Sequence, residues 1–140
     1  SVGGDVVRVF GDLLVVNEGD DRNDVLHIID VSKPEKPRRL AKWKAPEEGP
    51  PVIECGLVVG SAWTCGGIFA DFEIFGQWMY VTNHGSLEIV DVSDPANPTR
   101  EYRFELPAED VHVSEDAIYV MQRDPGGISA FRAPVFANVP

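Results

Sequence analysis

Hydrophobic positions along this chain recur in short runs, with no apolar stripe of helical period extending to about ten residues. From Asp5 to Val16, DVVRVFGDLLVV reads as two short strands joined at Gly11-Asp12, the glycine supplying the positive φ that a two-residue hairpin turn requires. Val25–Val31 is an almost unbroken apolar run rich in β-branched residues, the pattern of a strand covered on both faces. In the next segment Pro34 and Pro37 forbid helix and interrupt any ladder, which predicts a turn leading into a more polar strand, Arg39–Ala45. The succession then restarts: Phe69–Phe75, a turn at Gly76-Gln77, Trp78–Thr82, a tight turn at Asn83-His84-Gly85, Leu87–Val92 and Arg100–Leu106. In the last of these Tyr102, Phe104 and Leu106 alternate with Glu101, Arg103 and Glu105, which predicts one buried and one wet face, as for an outermost strand. A third round begins with Asp110–Ser114 and Ala117–Met121, and Ile128–Ala133 follows as its third strand.

Leu26–Pro46, LHIIDVSKPEKPRRLAKWKAP, falls on Leu87–Pro107, LEIVDVSDPANPTREYRFELP, at a constant offset of 61 without a gap. Asp30 lands on Asp91, Pro34 on Pro95, Pro37 on Pro98 and Trp43 on Phe104. Asp110–Ser114 repeats the pattern of Asp71–Phe75, 39 positions earlier. Four strands in roughly 40 residues is the length of a β-propeller blade. The expected fold is therefore all-β. Two complete four-stranded antiparallel blades occupy residues 5–46 and 68–107, an irregular insert residues 47–67, and a partial third blade residues 108–136. Rings of such blades need about four to eight of them, so an open fragment of a larger propeller is expected. The start at Ser1, without Met or a basic-plus-apolar leader, reads as a removed signal or a piece of a longer chain.

Leu26-His27-Ile28-Ile29-Asp30-Val31-Ser32-Lys33-Pro34 and Leu87-Glu88-Ile89-Val90-Asp91-Val92-Ser93-Asp94-Pro95, the latter followed by Ala96-Asn97-Pro98, resemble the LVIVD repeat. The third round lacks the motif. The resemblance implies a β-propeller protein, of a kind often secreted or displayed on bacterial and archaeal surfaces. It implies no single activity, because propellers host many.

A net charge of −11 and a pI near 4.5 repel phosphate backbones, so nucleic acid is not an expected partner. No run of about 18 apolar residues is present, so no transmembrane helix is expected. Cys55 and Cys65 are not spaced for zinc and have no second pair. In an oxidising compartment they read as one disulfide closing a short loop, in a cytosolic protein as two free thiols. The disulfide reading goes with an extracellular, periplasmic or cell-surface location.

In the blade alignment Arg8, Glu73 and His112 occupy one equivalent position, each a lone polar residue in the first strand. That strand lines a propeller's central channel, so the three are the candidate ligand-binding residues; alternatively they point into solvent or pair with one another. The other two histidines, His27 and His84, are not brought to one level by the register, and no metal is assigned to them. Asp20, Asp21, Asn23 and Asp24 crowd one loop that could hold calcium but lacks the distal Glu of a full calcium-binding loop. No cofactor and no catalytic residue is expected, since no nucleophile elbow, phosphate-binding loop or dinucleotide fingerprint occurs. The expected function is that of a non-enzymatic, secreted or cell-surface interaction module acting as a scaffold within a larger protein or complex. The alternative is an enzyme or small-ligand carrier with its site in the channel. The expected partners are other blades, from the rest of a longer chain or another subunit, then from a homo-oligomer.

Overall fold

The computed structural model describes residues 6–18, 25–44, 53–58, 61–65, 69–83, 86–106, 108–115, 117–122 and 126–131, with the backbone alone for 53–58, 61–65, 69–70, 83 and 131. Every regular element among them is a strand. In order these are β1 (Val7–Phe10), β2 (Leu13–Glu18), β3 (Val25–Asp30), β4 (Arg38–Trp43), β5 (Ile53–Val58), β6 (Ser61–Cys65) and β7 (Phe69–Phe75), followed by β8 (Trp78–Asn83), β9 (Ser86–Asp91), β10 (Thr99–Glu105), β11 (Ala108–Val113), β12 (Ile118–Gln122) and β13 (Gly127–Phe131). They form antiparallel meanders: β1-β2-β3-β4, β7-β8-β9-β10, β11-β12-β13 and the pair β5-β6. Sheets of four, four and three strands in sequence order are propeller blades, and the set is open.

The repeat is visible as repeated chemistry. Gly11 and Gly76 turn the first hairpin of the first two sheets with φ of 59° and 61°, a region that L side chains rarely enter. The exit of each third strand is tied to that turn, Val31 donating its amide to the Asp12 carbonyl and Val92 to the Gln77 carbonyl, both at 2.8 Å. Asp30 and Asp91 each accept a hydrogen bond from the amide two residues on, Ser32 at 2.9 Å and Ser93 at 2.8 Å. These are Asx turns, and they explain why aspartate stands at the end of both third strands. The Asp30 carboxyl is held below the usual carboxylate range by hydrogen bonds from the Ser32 side chain and amide, with Arg38 assisting.

Alternation along each strand divides the core in two. Val15, Leu26, Ile28 and Trp43 of the first sheet pack on Phe72, Met79, Val81, Val90 and Val92 of the second. Tyr80, Leu87 and Ile89, on the opposite face of the second sheet, pack on Val111, Val113, Ile118 and Val120 of the third. Among the described side chains, the second sheet has a core cluster on each of its faces. Each fully buried aliphatic or aromatic side chain here contributes roughly 1.5–3 kcal/mol. Burial of the Tyr80 hydroxyl raises its pKa to about 12.

Two expectations are corrected. Residues 47–67 are not an irregular loop throughout, because Ile53–Val58 and Ser61–Cys65 pair as a hairpin. Interruption by Gly56 and Gly60 hid a pair of short strands separated by only two residues. On β10, Tyr102 and Phe104 do not face a closed core: they are 41% and 40% exposed and stack on each other, ring centroids 6.5 Å apart. They lie on the face turned to the third sheet, whose described residues supply three strands and no fourth to cover them. The third strand of each of the first two sheets also carries a polar residue at a matching position. His27 and Glu88, equivalent at the offset of 61, are both buried. His27 meets Glu18 through Nε2, and Glu88 lies between Arg100 at 3.8 Å and Arg103 at 3.9 Å.

Candidate functional site on the innermost strands

β1, β7 and β11 are the first strands of their sheets, and their polar side chains cross from one sheet to the next. Register decides which of them can do so. Asp71 pairs with Thr82 and Glu73 with Tyr80, so both carboxylates lie on the face turned to the third sheet. Asp71 is 5% exposed. Its Oδ1 accepts hydrogen bonds from Arg8 of the first sheet, from Nε at 3.1 Å and Nη2 at 2.7 Å. Its Oδ2 accepts the amide of Val111, in the third sheet, at 3.3 Å. One carboxylate thus links the first, second and third blade sheets. Thr82 adds a second tie, accepting the Asp71 amide at 3.0 Å while its hydroxyl lies within 3.3 Å of the Glu109 carbonyl of β11.

One turn of the pleat further along, Glu73 accepts the Val113 amide at 2.8 Å, and the Nδ1 of His112 is 3.4 Å from the same Oε2. Of the three candidate ligand residues, then, the structure brings Glu73 and His112 together, and Arg8 joins them through Asp71. Arg8 and His112 remain half and three-quarters exposed along their side chains, at 47% and 74%. The hydrogen bond to Asp71 raises the pKa of the Arg8 guanidinium, against the opposing effect of burial.

Asp110 completes the cluster. It stands on β11 at the position equivalent to Asp71, and its pKa is raised. The largest cause is its hydrogen bond to Asp71, followed by burial and by repulsion from the Asp71 charge; the Val111 amide and Arg8 oppose the shift. A neighbouring carboxylate disfavours the charged form of Asp110, and a hydrogen bond to its protonated form favours that form. Sequence reasoning passed over Asp71, Asp110 and Thr82. The available signal was the match of Asp71 to Asp110 in the repeat alignment, a pair of aspartates at the start of two first strands.

The Asp20–Asp24 loop, His84 and the side chains of Cys55 and Cys65 lie outside the described residues, so the expected disulfide is not seen. Among the described residues, no three His, Cys, Asp or Glu side chains converge as metal ligands. No described helix is long and apolar enough to cross a membrane.

The second sheet has an Asx turn at the end of its third strand, and side chains on its first strand hold the next sheet. Residues 66–105 match the LVIVD repeat. That span begins just before β7 and ends with β10, so one LVIVD unit is one four-stranded sheet. The first sheet carries the same motif with the same turn chemistry. No curated protein matches the chain.

Proposed function

We propose that the chain is a non-enzymatic, secreted or cell-surface propeller segment that works by contact, as a scaffold within a larger protein or complex. The observation that carries this reading is the pair of uncovered blade faces. On the first sheet Val7 and Val9 are 56% and 64% exposed; on the third, Tyr119, Met121 and Ile128 are 42%, 46% and 76% exposed. Met121 pairs with Ile128, so these apolar groups share one face, the face that in the second sheet is buried against its neighbour. Exposed apolar area of this kind marks an interaction surface. The occupants are further blades, from the rest of a longer polypeptide or another subunit, and after those from further copies of this chain. The extracellular assignment rests on Cys55–Cys65 pairing and on the company the LVIVD repeat keeps.

Sedimentation of the 140-residue chain tests this. Self-association above 15.4 kDa is expected, relieved by Val9→Asp with Met121→Asp. A monodisperse, cooperatively folding monomer of the wild-type sequence would overturn it. Alkylation without reductant tests the location: two adducts on Cys55 and Cys65 would remove its main support.

A second reading is favoured by the Arg8, Asp71, Glu73, Asp110 and His112 cluster: a ligand carrier or enzyme with its site in the channel. Loss of ligand or activity in Arg8→Ala, Glu73→Ala or His112→Ala would support it; wild-type behaviour in all three would remove it.

A further inference from the structure

A cleft of about 720 Å³ lies between the outer parts of the first two sheets, lined by residues 40–44 on one side and 96–100 on the other. Five consecutive residues of a strand cannot all line one cleft through their side chains, because successive side chains point to opposite faces. They can do so if the cleft runs along the strand's edge. β4 is the terminal strand of its sheet, and among the described residues no other strand pairs with its outer edge. The outer edge of β4 therefore borders the cleft, with the turn into β10 as its far wall.

The chemistry of that edge is unlike the rest of the protein. Arg38, Arg39, Lys42 and Lys44 are four of the twelve Lys and Arg residues in a chain of net charge −11. Register places them relative to the cleft. Ala41 pairs with Ile28, and Trp43 with Leu26, on the face packed against the second sheet, whereas Lys42 pairs with His27 on the opposite face. A strand laid against β4 would meet Ala41 and Trp43 on one side, and Lys42 and Lys44 on the other.

We propose that this edge takes up an extended peptide whose residues alternate acidic and apolar, adding it to the first sheet as a fifth strand. Main-chain pairing supplies the affinity, and the two faces supply the specificity. Lysines on an edge strand ordinarily discourage pairing. They do so against neutral or basic strands; one with carboxylates opposite Lys42 and Lys44 is the case they favour. The repeat contains its own control. At the offset of 61 the β10 edge places Glu101, Arg103 and Glu105 where β4 has Leu40, Lys42 and Lys44, so the same geometry there selects against such a peptide. The biological use of this edge rests on the interaction-module reading, but the binding is measured apart from blade completion, so either can fail alone.

The test is titration of the isotopically labelled chain with an end-blocked peptide of about seven residues alternating Glu and Val, about the length of the strand it would join. Amide shifts over residues 40–44 and 96–100 are expected, with affinity falling as salt rises. A Lys/Val peptide, and a Glu/Val peptide N-methylated at every residue so that neither edge can donate, are expected not to bind. Lys42→Glu with Lys44→Glu is expected to weaken binding about tenfold or more. No binding at millimolar peptide overturns the proposal. So does equal binding of the Lys/Val or N-methylated peptides, or a footprint confined to β10 or to the Tyr119 face. The peptide controls decide the matter even if the double variant does not fold.

Discussion

Replacing Asp71 by alanine removes a side chain that touches three sheets at once. Its carboxylate accepts the Val111 amide inside the interface, and a buried donor left without an acceptor costs about 1–3 kcal/mol. The Arg8 pair is half exposed on the arginine side and is discounted to about 0.5–1 kcal/mol. Removal of the repulsion between Asp71 and Asp110 offsets part of this, leaving a net loss of about 2 kcal/mol. For a chain of this size that corresponds to a Tm lower by about 4–8 °C. Asp71→Asn keeps an oxygen for the Val111 amide but loses the charge and the acceptor for Arg8, so its cost is expected to be about 1 kcal/mol. The two variants are compared by urea denaturation, with the Asp110 carboxyl followed by NMR across pH. In Asp71→Asn the Asp110 titration should fall back toward the ordinary carboxyl value. An Asp71→Ala variant within 0.5 kcal/mol of wild type, or an Asp110 titration unmoved by Asp71→Asn, would refute the reasoning.

Glu88→Ala should cost about 3 kcal/mol in chemical denaturation, because it removes the buried carboxylate that lies between Arg100 and Arg103. Asp110 sets the direction of one pH effect. Its raised pKa means that the hydrogen bond to Asp71 is fully present below the ordinary carboxyl value of 3.8 and is lost as pH rises through the higher folded value. Asp110→Asn should therefore flatten that part of the Tm–pH curve and raise Tm at neutral pH; a curve that parallels wild type would contradict the raised Asp110 pKa. Asp91→Ala should cost about 0.5–1.5 kcal/mol by removing the acceptor for the Ser93 amide, with Asp91→Asn close to wild type in the same melting assay.

Much of the fold could be read from the chain, because the repeat is local. Strands, turn glycines and the aspartates ending β3 and β9 recur at fixed spacing, and each has a cause within a few residues. What escaped reading depends on neighbours remote in sequence. Arg8 meets Asp71 across 63 positions, and Asp71 meets Val111 across 40, so neither pair leaves a spacing to count. Glu88 was hidden for the opposite reason: one carboxylate in an apolar run reads as apolar until β10 is seen to bring Arg103 opposite it. Tyr102 and Phe104 alternate as a buried face should, and whether such a face is covered depends on the next sheet rather than on their own strand.

Coverage of the middle sheet on both faces also determines how the molecule opens. In a linear array each sheet is stabilised by itself and by its contacts with immediate neighbours, so an end unit has one such contact and an internal unit two. Opening the first or third sheet breaks a single core cluster, and opening the second breaks both. Amide exchange should consequently be slowest in β8 and β9 and grade outward in both directions. A partner seated on either open face would convert an end unit into an internal one. It would slow exchange first in the sheet it touches, without changing that sheet's fold.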